Sequence, residues 1–321
     1  MTLADPWTEA MMCGDFEAAW RVCDRVLAER RGRDCSRSPR HLQHIWDGSP
    51  LEGKHVLVRC YHGLGDTLQF ARLLAPLRAR ARRVTVWVQP AILPLLQGAP
   101  GVDAVLPLHD GAPDVVYDAD MELMEAAHAL RLALHDLPGP LPYLNVAALS
   151  RSAASERKRR TDPALRVGLT WRSGGWNAAR SMPPSALRRL ANVRSVQWFS
   201  LQYPSEPPPF EMIELGCRDI PELAWRMHTL DLVVSVDTMT AHLAGALGLP
   251  IWTLLPRACD WRWMQQRTDS PWYPTMRLVR QSREGDWRGV VESVASALAR
   301  LSPGHEFTRA RGTRSDGCTA S

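Results

Sequence analysis

The chain has 321 residues, 45% hydrophobic and 23% charged, with a formal net charge of +5. That length is too great for one small core and suits two α/β domains of about 150 residues each, and the composition argues against a disordered or membrane-embedded chain. Of 39 basic residues only Lys54 and Lys158 are lysines, a bias that points to genome composition rather than a nucleic-acid surface, while the mild basicity suits an anionic substrate.

No run of 18 apolar residues occurs, and the opening MTLADPWTEA lacks the basic and apolar regions of a signal peptide, so a cytoplasmic location without a transmembrane segment is expected. Seven cysteines never form C-x-x-C, which argues against a disulfide framework and a structural zinc site. Residues 5–30 read as two short helices broken at Gly14-Asp15, with Phe16, Ala19, Val22, Val26 and Ala28 apolar. There GDFEAAWRVCDRVLAE resembles the middle and second helix of one tetratricopeptide repeat. A single partial repeat cannot bury its own face, so it must pack on the next domain or be the remnant of a longer array.

After a basic linker (Arg30–Arg40), a strand HVLVRCY, a turn HGLGD and a helix bearing Leu64, Leu68, Ala71 and Ala75 on one face are predicted, then a strand VTVWVQ (Val84–Gln89), a helix near Ile92–Gln97 and a strand near Ala104–Pro107. The second half repeats this grammar: strand RVGLTW (Arg166–Trp171), loop SGGWN, helix Pro184–Ala191, strand VQWFSLQ (Val196–Gln202), helix Ile220–His228, strand LVVSVD with its helix, strand IWTLLP (Ile251–Pro256) and helix Asp286–Leu301. Such alternation implies parallel, doubly wound sheets. The expected divisions are a helical segment over 1–45, a domain over 46–149, a charged linker over 150–163, a second domain over 164–301 and a disordered tail over 302–321. Two such domains are expected to place their ligand cleft at the carboxyl ends of their strands.

The most informative stretch is Leu232–Pro250, LVVSVDTMTAHLAGALGLP. Val233, Val234 and Val236 favour a strand; Thr238–Leu247 follows as a helix with Met239, Leu243, Ala246 and Leu247 on one face; Gly248 and Pro250 stop it. The free N–H groups after Asp237 could bind an anion such as a phosphate. Alternatively, Asp237 is a helix cap worth about 1 kcal/mol and His242 a hydrogen-bonded histidine at the edge of a core. In the first domain Gly63-Leu64-Gly65-Asp66 lacks the third glycine of a dinucleotide fingerprint, and Gln89 stands where an acid would end the second strand. The two glycines would permit a tight turn or close approach of a ligand and aim Asp66 at the cleft, with a helix cap as the alternative. The loop Trp171–Ser181 brings Arg180 to the ligand side, and Cys259–Gln281 is rich in tryptophan and arginine, fitting either a nucleobase or sugar pocket or plain packing.

Together GLGDTLQFARLL, SVDTMTAHLAGALGLP and DWRW…DSPWYPTMRL…Q…GDW resemble bacterial glycosyltransferase family 9, the heptosyltransferase-like group, and most of all its members with N-terminal tetratricopeptide repeats. The resemblance covers about residues 46–300. It implies a GT-B-like α/β fold of two facing Rossmann-like domains, and inverting transfer of a sugar from a nucleotide diphosphate donor to an acceptor hydroxyl with no metal and no cofactor; heptose is the family's best-known sugar. By position it makes Asp66 the general base, with Gly63, Gly65 and Thr67 on the acceptor loop. Arg180 would steady the leaving diphosphate and Asp237 contact the donor sugar. Thr238 and the backbone of Met239, Thr240 and Ala241 would meet the phosphates, with His242 in support. A glycan, a lipid-linked glycan or a protein could be the acceptor, with peripheral contact at the inner face of a membrane; no nucleic acid is implied. The 171–180 loop departs from relatives in lacking their asparagine- and aspartate-rich stretch, and the repeat is cut to about one unit. The alternative is a non-catalytic GT-B-fold protein docking a partner through its N-terminal helices; a nicotinamide-dependent oxidoreductase is disfavoured by the missing glycine and acid.

Overall fold

A computed structural model describes residues 5–137, 139–146, 162, 164–175, 177–203 and 207–301. The expected tail lies outside them, as does nearly all of the expected linker. The chain divides into two units, Met1–Asn145 and Val146–Ser321.

The first unit opens with a helical hairpin, α1 (Pro6–Cys13) and α2 (Phe16–Arg30). Asp5 caps α1 by accepting the N–H groups of Trp7 and Thr8, Gly14 ends it with φ 77°, and Asp15 caps α2 by accepting from Ala18. The apolar face of α2 is spent on its own unit. Phe16, Ala19 and Trp20 are buried, Trp20 Nε1 donates to the Leu132 carbonyl at 2.7 Å, and the Asp24 carboxylate accepts from His128 at 2.8 Å and from Arg131.

Next come β1 (His55–Arg59), α3 (Leu64–Phe70), α4 (Leu74–Arg80), β2 (Arg83–Val88), α5 (Leu93–Leu96), β3 (Ala104–Pro107), β4 (Ala119–Glu122) and α6 (Glu125–Ala129). The sheet runs β3-β2-β1-β4, all parallel, with Val56 opposite both Val84 and Ala119. The helix predicted from Leu64 past Ala75 is divided by a 3-10 turn at Ala71–Leu73, because Pro76 has no N–H to offer the Arg72 carbonyl one turn back. Neither β4 nor α6 was expected: ADME carries no apolar run to announce a strand.

The second unit comprises β5 (Leu165–Thr170), α7 (Pro184–Leu187), β6 (Val196–Ser200), β7 (Ile213–Glu214), α8 (Ile220–His228), β8 (Leu232–Val236), α9 (Met239–Ala246), β9 (Ile251–Leu255), β10 (Met276–Arg280) and α10 (Trp287–Ala299). Its sheet runs β10-β9-β8-β5-β6-β7, again parallel. Val167, Leu169, Val234, Val236 and Leu254 form the centre of its core with Trp198 and Trp287, each buried aliphatic side chain contributing about 1.5–3 kcal/mol. The helix expected to 191 ends at Leu187 and tightens into a 3-10 turn through Asn192.

Counted from the first strand of each unit, the orders are 3-2-1-4 and 6-5-4-1-2-3, the doubly wound arrangement of nucleotide-binding sheets. Each sheet reverses direction between its first and fourth strands, where the crossovers leave a crevice at the strands' carboxyl ends. The reversals fall between β1 and β4 and between β5 and β8. Among the described residues no helix is long and apolar enough to cross a membrane.

Candidate functional site

At the reversal of the second unit the loop after β5 carries Arg180 and the turn after β8 carries Asp237. The sequence separates these residues by 57 positions, and the fold brings Arg180 Nη1 to 3.6 Å from Asp237 Oδ2. His242 Nε2 lies 3.8 Å from the other oxygen. Both distances exceed hydrogen-bond reach, so the two carboxylate oxygens, on a residue only 1% exposed, have a guanidinium and an imidazole as neighbours but no hydrogen-bond donor among the described residues. A buried acceptor left this way costs about 1–3 kcal/mol or more. Hydroxyl groups of a bound sugar are donors of the kind that would satisfy it.

The helix-cap reading of Asp237 is corrected by the same observation. Thr238 occupies the N-cap of α9, with φ −156°, and makes no side-chain cap bond; Asp237 caps nothing. The first-turn N–H groups of Met239 and Thr240 have no carbonyl one turn back within the helix, so the positive end of α9 faces the site. Thr240, Ala241 and His242 are buried. The one-sided helix predicted here is instead buried along nearly its whole length, as expected of a helix without a charged face.

His242 is held firmly. Its Nδ1 is 3.0 Å from the Tyr273 hydroxyl and its ring stacks on Trp263 at 5.4 Å. Tyr273 approaches α9 closely because Gly245 has no side chain: a Cβ there would fall 2.4 Å from the ring. Trp263, Trp272 and Tyr273 are completely buried; these three rings of the aromatic stretch after β9 are packing, while Trp261 is half-buried, and two of the buried rings aim His242 at Asp237. Burial pushes the Cys259 thiol up although the Arg280 guanidinium lies against its sulfur. In the loop after β5, Gln202 accepts the N–H groups of Trp171 and Arg172, and Asn177 caps the 3-10 turn that ends in Arg180. Trp176 lies outside the described residues.

At the reversal of the first unit Asp66 occupies the third position of α3, and its Oδ2 accepts the Gly63 N–H at 3.1 Å. The cap alternative therefore holds for Asp66. The tight-turn argument for the glycines does not: Gly63 has φ −67° and Gly65 is helical. Close approach explains Gly63 better, since a Cβ would meet Asp66 Oδ2 at 3.2 Å. Thr67 is buried and donates to Gln89 at 3.2 Å.

Sequence reasoning missed Glu122, the last residue of β4, paired in register with Arg59. It is 2% exposed. Burial, with the charges of Glu125 and Asp66 adding to it, pushes its carboxyl up to about 8. His62 Nε2 lies 3.7 Å from its Oε2. An acid closing a strand beside β1 was the available signal, but β4 itself was not recognisable. Among the described residues no group of three or more His, Cys, Asp or Glu side chains is arranged to hold a metal ion.

No family model matches the chain. Among curated proteins, Protein FlbA of Caulobacter vibrioides is 26% identical over 286 residues, covering 79% of this chain and 48% of that protein, so the chain spans about half the length of this relative. Among solved structures, the glycosyl transferase family 9 protein from Veillonella parvula matches with a TM-score of 0.56 at 14% identity, covering 78% of this chain and 98% of that one. The E. coli ADP-heptose lps heptosyltransferase II matches with a TM-score of 0.53 at 15% identity, covering 76% and 98%. At these identities the likeness is one of fold: parallel-sheet α/β units of the kind found in heptosyltransferases.

Proposed function

We propose that the chain is an inverting glycosyltransferase that moves a sugar from a nucleotide diphosphate donor to an acceptor hydroxyl without a metal. The observation that carries this reading is Asp237: a buried carboxylate with unsatisfied oxygens, flanked by Arg180 and His242, at the start of a helix and at the reversal point of a parallel sheet. Sugar hydroxyls satisfy the carboxylate, while Arg180 and the first-turn N–H groups of α9 take the diphosphate, whose charge grows as the glycosidic bond breaks. Thr238 adds a hydroxyl to the phosphate site. Asp66 accepts the proton of the attacking hydroxyl, with Gly63, Gly65 and Thr67 shaping the loop around it. We read the sugar as heptose, the acceptor as a glycan, lipid-linked glycan or protein, and the location as cytoplasmic with peripheral membrane contact. The N-terminal hairpin is read as one tetratricopeptide-like unit; because Trp20 and Asp24 engage their own domain, a scaffold role docking partners through that face is the weaker reading.

A thermal-shift screen of nucleotide sugars tests the donor, since a ligand bound by the native state alone stabilises it by about 2.7 kcal/mol at a hundredfold excess over Kd. ADP-heptose is expected to give the largest shift. Asp66→Asn is then expected to bind the donor as before while nucleoside diphosphate release falls about 10²–10⁴-fold. Full activity in that variant removes Asp66 from the chemistry, and the absence of any shift with every nucleotide sugar removes the transferase reading.

A further inference from the structure

The turn that carries Asp66 is gripped from both flanking strands. On one side Gln89, just past β2, donates to the His62 carbonyl at 2.7 Å and accepts from the Thr67 hydroxyl. On the other, Glu122 at the end of β4 accepts the Tyr61 N–H through Oε1 at 3.3 Å and the Met124 N–H through Oε2 at 2.7 Å, with His62 Nε2 beside Oε2. We propose that Glu122 is a positioning residue for Asp66, acting through the Tyr61 N–H and the His62 imidazole to hold the turn and to set the charge beside the base.

This rests on the reading of Asp66 as the base. A carboxyl is a costly choice for a buried clamp, because its charged form loses hydration. The groups facing it make ionisation harder still: Asp66 from α3 and Glu125 from α6, with the Cys60 thiol and the His62 imidazole also nearby. Glu122 therefore keeps its proton at neutral pH, and Asp66 works beside one neutral acid. Coupling between two charged sites is reciprocal, so as Glu122 ionises a second negative charge comes to lie beside the group that takes the proton. Tyr61 and His62 immediately precede Gly63, whose N–H meets Asp66, so the clamp reaches the base through three consecutive residues.

The test uses the full chain with 13C-labelled glutamate. The Glu122 carboxyl, assigned through its own backbone resonances, is expected to titrate near pH 8 in the wild type and at lower pH in Asp66→Asn. In Glu122→Gln the Tyr61 amide is expected to exchange with solvent at least about tenfold faster. With ADP-heptose as donor, ADP release by the wild type should rise through the Glu122 midpoint. Glu122→Gln should lose that step with kcat reduced and donor KM unchanged. An identical Glu122 midpoint in wild type and Asp66→Asn, or wild-type exchange at Tyr61 in Glu122→Gln, overturns the proposal. A fully active Asp66→Asn overturns the base assignment instead, and the carboxyl titration then still decides whether the two groups are coupled. If Glu122→Gln fails to fold, the shift of the Glu122 midpoint in Asp66→Asn decides the proposal by itself.

Discussion

Glu122 holds its proton over a pH range in which an ordinary glutamate has lost it, because ionising it would strand a charge out of water beside two other carboxylates. Its folded value of about 8 lies above the ordinary 4.5, so between these the native state binds the extra proton and the unfolded chain does not. Stability from this group is complete below pH ~4.5, declines at roughly 1.4 kcal/mol per pH unit as the pH rises, and is gone above ~8. His128 works against it. Burial lowers the His128 pKa, so that residue's contribution is present above its unfolded value and lost as the pH falls. The difference between wild type and Glu122→Gln isolates the glutamate: urea midpoints measured from pH 5 to pH 9 should show a downward slope that the variant lacks. Parallel curves for the two proteins would mean that Glu122 ionises normally.

Elements differed in how well they could be read. The segment β8–α9 was legible because three valines in five residues, then an uncharged stretch closed by Gly248 and Pro250, leave few alternatives. What could not be read was the helix's surroundings: period alone does not distinguish one buried face from burial on every side. The strands β4 and β10 were missed for one reason. ADME and MRLVR earn their strand state from register with β1 and β9, and nothing local to four or five mixed residues announces a neighbour. With β4 went Glu122, and with it half of the support for Asp66. The hairpin α1–α2 was legible as helices, with packing on the next domain as one of two alternatives, and where Trp20 and Asp24 land decides between them. Its contribution can be measured. Trp20 is 3% exposed and hydrogen-bonded to Leu132, so Trp20→Ala should cost about 3–5 kcal/mol in a denaturant titration. Val26→Ala, on the exposed face of the same helix, should stay within about 0.5 kcal/mol. Equal, small effects at both positions would show that the hairpin is a loose appendage.

At the scale of the whole chain the two sheets share a winding but their reversal points carry opposite chemistry. The crevice between β5 and β8 gathers Arg180, His242 and the positive end of an eight-residue helix around one carboxylate. The crevice between β1 and β4 sets Glu122 near Asp66 and Glu125, with His62 beside it. On the proposed reading the first takes the diphosphate, and the second serves the hydroxyl that must lose a proton. That reading divides donor and acceptor chemistry between the two units, and where ADP binds should report the division. Hydrogen exchange across the full chain, measured with and without ADP, is expected to slow in residues 171–181 and 237–242 and to remain unchanged at Tyr61–Asp66 and in α1–α2. Adding salt should weaken the effect, because a charge-driven site is screened over about 10 Å at 0.1 M ionic strength. Protection centred on the hairpin or on the Asp66 turn would place the nucleotide in the wrong half and take the donor assignment of Arg180 and Asp237 with it.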